Sequence, residues 1–206
     1  MKADLEFRMY GLVPYNISEI QKAIQFGHAV VEYGQKVKKK AKIGNSPAVN
    51  WEQTSLFIKN YDEWADKWKT FIILNGGTSN HSKNRYIQNE DFLGTMEDHL
   101  KKLNEIGIET AEFYEPDLND MLSAIVFIVD ERVFNKKDYP DFEDWVIHNY
   151  GDLIQNNSEK SDYELANMMR TSESEFDKKI FNEWIDLIGG FKNSFLKDFL
   201  KNFKLA

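Results

Sequence analysis

The sequence predicts an α/β fold, a four-stranded mixed sheet flanked by helices, followed by a helical C-terminal extension. Three observations predict it. Short apolar runs bounded by turn residues alternate with segments of helical period through about residue 130. Strands alternating with helices need crossovers, and hence a largely parallel or mixed sheet covered by helices. From Asp141 onward only helical patterns remain. We divide the chain accordingly into an α/β domain over 1–135 and a helical extension over 136–206.

Leu5–Val13 starts as an alternating run and turns apolar, a strand that Pro14 breaks. Ser18-Glu19-Ile20-Gln21 has capping-box spacing, and Asn16 or Ser18 can cap the next helix, expected to reach about Gly34. On it Gln21, Gln25, His28 and Glu32 stack as a polar stripe. Ile20, Ile24, Gly27 and Val31 form an apolar stripe, the side expected to lie on the sheet. The basic run Lys36–Lys42 follows, ending in loop chemistry at Ile43-Gly44-Asn45-Ser46-Pro47. Residues 50–67 read as a helix with Trp51, Phe57, Tyr61 and Trp64 among its apolar positions. Lys69–Leu74 is a buried-type strand stopped by Asn75-Gly76-Gly77-Thr78, and 79–90 is expected to be an exposed loop. Thr95-Met96-Glu97-Asp98 opens a helix that Gly107 ends. Glu109–Tyr114 is a third strand, Glu115–Asp120 a turn, and Ser123–Val129 a fourth strand. That link is too short for a crossover, so the last two strands form an antiparallel hairpin or are separated neighbours. Helices follow over 141–154, 161–170 and 174–203, the last divided by Gly189-Gly190.

Hydrophobic residues make up 42% and aromatics 14% of the 206 residues, which excludes a disordered chain. With no cysteine there is no disulfide or thiolate metal site, and no His/Asp/Glu spacing of a zinc site occurs. No cofactor is expected. The start lacks the apolar run of a signal peptide, and no uncharged apolar stretch approaches the roughly 20 residues that span a bilayer. A cytoplasmic protein with no membrane partner is the expectation. The net charge of -8 is uneven: residues 1–60 sum to +4 and the remainder to -12. An acidic chain repels nucleic acid overall, but association depends on the local patch, and the first 60 residues have the charge for a basic face.

The order strand, Gln-x-x-His-Ala helix, strand, helix, strand, turn, strand resembles the class II peptidyl-tRNA hydrolase family over roughly residues 5–130. Gln25, His28 and Ala29 match the second half of the family's Gly-Lys-Ile-Ala-Ala-Gln-x-x-His-Ala helix. The helix 95–107 with its Gly107-Ile108 end and the strand after it resemble the family's helix, Gly-Leu, strand unit. Ser123 stands where the family carries Thr or Ser, and the turn from Glu115 takes the place of its Asp-containing loop. The departures are specific. The family's helix-start lysine falls on Gln21, with Lys22 one place and about 100° away. Its Asp-Ala-Gly turn becomes Glu115-Pro116-Asp117.

The resemblance implies a protein that hydrolyses, or merely recognises, the ester-linked acceptor end of tRNA. In the hydrolytic version Glu115, Asp117 or Asp120 accepts a proton from water, with His28 as the alternative. Gln21, Gln25, His28 and Ser123 would hold the ester and terminal nucleotide, and Lys38, Lys39 and Lys40 the tRNA backbone. A bacteriophage source, hence a host cytoplasm, is a further expectation. The competing expectation is a non-catalytic module on the same fold. There the acidic 139–186 segment would fold over the site, or the C-terminal stripe of Phe191, Phe195, Leu196, Phe199, Leu200 and Phe203 would build a homo-oligomer or a partner interface. Trp51, Trp64 and Trp68 read as core rather than base-stacking rings, and Asn75–Thr78 as a weak candidate for a phosphate nest.

Overall fold

A run with no polar break, such as Tyr10-Gly11-Leu12-Val13, suits a strand covered on both faces. In the computed structural model, which describes residues 4–43, 51–80, 94–151 and 161–206, that run lies in the middle of the sheet. The strands are β1 (Phe7–Pro14), β2 (Thr70–Gly77), β3 (Thr110–Glu115) and β4 (Met121–Asp130), in the order β2-β1-β4-β3. β1 and β2 are parallel, with Arg8 opposite Thr70 and Leu12 opposite Leu74. β3 and β4 are antiparallel neighbours. Their register slips between Phe113 and Tyr114: Phe113 pairs with Ala124 and Tyr114 with Leu122, so Ser123 is the extra residue of a bulge.

The first helix, α1 (Glu19–Ile43), is longer than expected, because the basic run continues it. Lysine and alanine are good helix formers, and nothing breaks the helix before Gly44. After it come α2 (Trp51–Glu63) and a π-helical turn Trp64–Trp68, closed by Lys69 at φ 51°. The next helix, α3 (Thr95–Glu105), joins β2 to β3. A Cβ on Gly11 would lie 2.3 Å from the Phe26 ring of α1, and one on Gly76 would lie 2.3 Å from Met96 of α3 and 3.0 Å from Leu12. Gly11 and Leu12 point to opposite faces of β1, so α1 and α3 cover opposite sides of the sheet.

The face that α1 turns inward corrects the sequence expectation. Lys22, Gln25, Phe26, Ala29, Tyr33 and Val37 are buried, whereas Ile20, Ile24 and Val31 are 72%, 49% and 61% exposed. The helix carries two apolar stripes. The aromatic one packs, because Gly11 leaves a gap in the sheet that the Phe26 ring fills. Trp64 is core, its indole N–H donating to Thr70 O at 3.1 Å, as a core reading of the tryptophans requires. The expected loops at Gly44–Pro47 and 81–90, with His81, and the Trp51 side chain lie outside the described residues. Ser79, expected on an exposed loop, is buried and donates to Glu97 at 2.7 Å.

The chain divides into two compact units, Glu6–Val129 with Phe203–Ala206, and Asp130–Asn202 with the start of the chain. The second contains α4 (Glu131–Phe134), α5 (Phe142–Tyr150), α6 (Asp162–Thr171), α7 (Glu175–Ile188) and α8 (Phe191–Lys201). The last two are separated at Gly189 and Gly190, both at positive φ. The core of this unit gathers Phe142, Trp145, Val146, Ile180, Trp184 and Ile188. Four residues of the C-terminal stripe pack within it: Phe191 and Phe195 meet Tyr163 at 4.9 and 5.8 Å, and Leu196 and Phe199 are buried, whereas Phe203 belongs to the first unit. Among the described residues no helix is long and apolar enough to cross a membrane.

Candidate functional site

Gln25 is a helix residue with a polar amide on the buried side of α1, and a buried amide must find partners. It finds one on each side. Its Nε2 donates to Glu115 Oε2 at 2.6 Å, and its Oε1 accepts from the Ser123 hydroxyl at 3.1 Å. A carboxylate oxygen only accepts, so the amide can face only this way. Gln25 is 5% exposed and Ser123 fully buried, while Glu115 at the end of β3 is half-buried. The result is one hydrogen-bonded line from the sheet interior to the surface.

The bulge places Ser123. Its hydroxyl lies 3.1 Å from Phe113 O as well as from Gln25 Oε1. Glu115 in turn caps a 3₁₀ turn, Pro116–Leu118, its Oε1 accepting from the Asp117 N–H at 3.3 Å. Asn119 and Asp120 complete the bend at φ 59° and 53°, a conformation that Asn and Asp tolerate best among non-glycine residues. His28, one turn after Gln25, is exposed, and its ring stacks on Phe113 at 4.5 Å. Phe113 thus supports the site twice, by its carbonyl beneath Ser123 and by its ring beneath His28.

Other expected site residues stand apart from this line. Gln21 is exposed and caps α1, its Oε1 accepting from the Ser18 N–H and hydroxyl, both at 3.1 Å. Asp117 is exposed in the turn. Ser123 has no exposed surface, so it orients Gln25 rather than touching a ligand. Lys38 and Lys39 are exposed, but Lys40 turns inward with Lys36 to Glu109, at 2.5 and 3.1 Å, and lies over the Phe57 ring at 4.9 Å. Burial pushes the Glu109 carboxyl up, and hydrogen bonds and charge from the two lysines outweigh it, leaving it below its ordinary value. The N–H groups of Gly77 and Thr78, two donors of the expected nest, are taken by Asn75 Oδ1 and Thr95 Oγ1 at 2.9 and 2.7 Å.

Two features escaped the sequence reading. Lys22 lies on the buried side of α1 with Gln25, its ammonium 2.8 Å from Glu19. Its three-residue spacing from Gln25 was the available signal. The bulge at Ser123 had none, since one unpaired residue leaves the apolar pattern of β4 unchanged. Among the described residues no cluster of His, Asp and Glu could hold a metal ion, and no cation pairs with Glu115. No protein-family model matches this chain, and no curated protein or solved structure matches it.

Proposed function

We propose that the α/β unit is a peptidyl-tRNA hydrolase-like module that engages the ester-linked acceptor end of tRNA, with Glu115 as the group that activates water. The observation that carries the reading is the line Ser123, Gln25, Glu115, which ends at the surface beside His28. A general base must be held in a fixed direction within reach of its proton. Gln25 and the Asp117 N–H hold one oxygen each of Glu115. His28, backed by Phe113, offers an exposed ring at the mouth of the site, suited to a nucleobase or to a hydrogen bond with the ester. Lys38 and Lys39 on the last turns of α1 offer charge to a phosphate backbone.

The test is cleavage of a peptidyl-tRNA by the intact chain and by Glu115→Gln, Gln25→Ala and His28→Ala. Glu115→Gln is expected to lose roughly 100-fold or more, the usual contribution of a positioned base. No turnover by pure intact protein removes the hydrolase reading. One observation favours a second reading, a non-catalytic module that only recognises its ligand. Among the described residues no cation pairs with Glu115 to stabilise a developing oxyanion, and Lys22 pairs with Glu19. In that case tRNA binds without turnover, and affinity falls with salt and with loss of Lys38 and Lys39.

A further inference from the structure

β2 is an outermost strand of the sheet, so its free side presents unpaired main-chain groups unless something covers them. Here it is covered by Phe203–Ala206, which follow α8 and belong to the same compact unit as the sheet. Leu205 forms an antiparallel bridge with Leu74. The Asn75 N–H donates to Lys204 O at 2.9 Å, and the Ala206 N–H to Ile73 O at 3.0 Å. The Phe203 ring meets the His99 ring of α3 edge-on at 4.8 Å.

This attachment has little apolar burial behind it. Leu205 is 75% exposed, and two main-chain hydrogen bonds and one ring contact do most of the holding. Main-chain pairing of this kind is how sheets add a strand from another chain, affinity coming from the backbone and selectivity from side-chain pockets. The segment just before it, Asp130–Asn202, is a compact unit of its own, so detaching four residues need not disturb either core.

We propose that the free side of β2, with the His99 ring beside it, is an exchangeable strand-addition site whose partner is the Phe203–Ala206 segment of a second copy of this chain. Each copy holds its own segment at low concentration. At high concentration segments exchange, and the aromatic residue two positions before the bridging leucine selects this sequence over other extended peptides.

The chain has no cysteine, which makes disulfide trapping clean. Leu74 and Leu205 form a non-hydrogen-bonded pair, in which Cα atoms stand about 4.5 Å apart, a separation a disulfide can span. The double variant Leu74→Cys/Leu205→Cys is expected to close within one chain when dilute, and failure of a folded double variant to close overturns the register. The decisive measurement mixes the two single variants at high concentration under mild oxidation. Exchange predicts a 74–205 cross-linked pair several-fold above the statistical share, reduced when Phe203→Ala is added to the Leu205→Cys chain. A random 1:2:1 distribution of the three cross-linked species, or none, overturns the proposal. If Leu74→Cys perturbs the fold by circular dichroism, a labelled Asn-Phe-Lys-Leu-Ala peptide is titrated instead into the chain shortened after Asn202 and into the intact chain. Saturable amide shifts at Ile73 and Asn75, at least five-fold weaker in the intact chain, support exchange. Equal binding, or none, overturns it.

Discussion

Ser123 has a single hydroxyl hydrogen and two acceptors at 3.1 Å, so it serves Gln25 Oε1 and Phe113 O alternately or shares between them. The two ends of this line therefore respond differently to truncation. Ser123→Ala strands a buried amide oxygen and is expected to cost about 1–2 kcal/mol. Gln25→Ala leaves Ser123 bonded to Phe113 O, strands less, and frees the Glu115 carboxylate instead. Urea unfolding of both variants checks the order, and a turnover or tRNA-binding assay shows whether loss of direction at Glu115 matters more than loss of stability. The approach of Gln25, Ser123 and Glu115 was legible only through the resemblance, which sets Gln25 on the helix after β1 and Glu115 and Ser123 about the turn between β3 and β4. The role of each was not. Gln21 looked equal to Gln25 in sequence, and only the inward rotation of α1 makes one a cap and the other a buried link.

At the scale of elements α1 is the instructive case. Its start and its N-terminal cap were readable from Pro14 and Ser18. Its inward face was not, because Ile20, Ile24 and Val31 repeat as regularly as Phe26, Tyr33 and Val37. Packing volume decided between them: Gly11 leaves room for one aromatic ring, a match that involves residues fifteen apart on different elements. Ile24→Ser is thus expected to change stability by no more than about 0.5 kcal/mol, as at other exposed positions. Phe26→Ala is expected to cost roughly 3–5 kcal/mol, the range for a buried aromatic. Equal effects in thermal or urea unfolding would place the helix the other way round. Gly11→Ala belongs with the second group, since its methyl group would overlap the Phe26 ring and cost about 1–3 kcal/mol.

Across the whole molecule, the acidic composition hides a few carboxylates whose charge is held in place. In the helical unit Asp141 gathers Lys136, Lys201 and Lys197 at 2.6, 3.2 and 3.4 Å, and the Lys197 ammonium, with no exposed side-chain surface, also donates to Tyr139 O at 2.6 Å. Burial pushes the Asp141 carboxyl up, but the hydrogen bond from Lys136 and the three positive charges hold it below the usual carboxylate range. In the α/β unit Glu109 is lowered in the same sense. A carboxyl whose folded value lies below its unfolded one contributes stability above the unfolded value, about pH 4, and loses it as pH falls through the folded value. Stability is therefore expected to be level down to about pH 5 and to decline below it, as urea midpoints taken between pH 2 and 7 would show. Asp141→Asn leaves a buried ammonium without its counter-charge and is expected to cost roughly 3 kcal/mol at neutral pH, with a smaller effect in acid. The sequence marked Lys197 only as one of several lysines beside an aromatic stripe. Nothing in its spacing distinguishes a sealed ammonium from a solvated one, because its partner lies 56 residues away.

The bulge at Ser123 also implies what loss of its single codon would do to the strand pairing. Deleting that codon would let Ala124 and Leu122 follow one another opposite Phe113 and Tyr114, an uninterrupted ladder. Such a shortened relative would keep the β3–β4 pairing but strand the same buried Gln25 amide oxygen that Ser123→Ala strands, so it is expected to melt earlier than its parent.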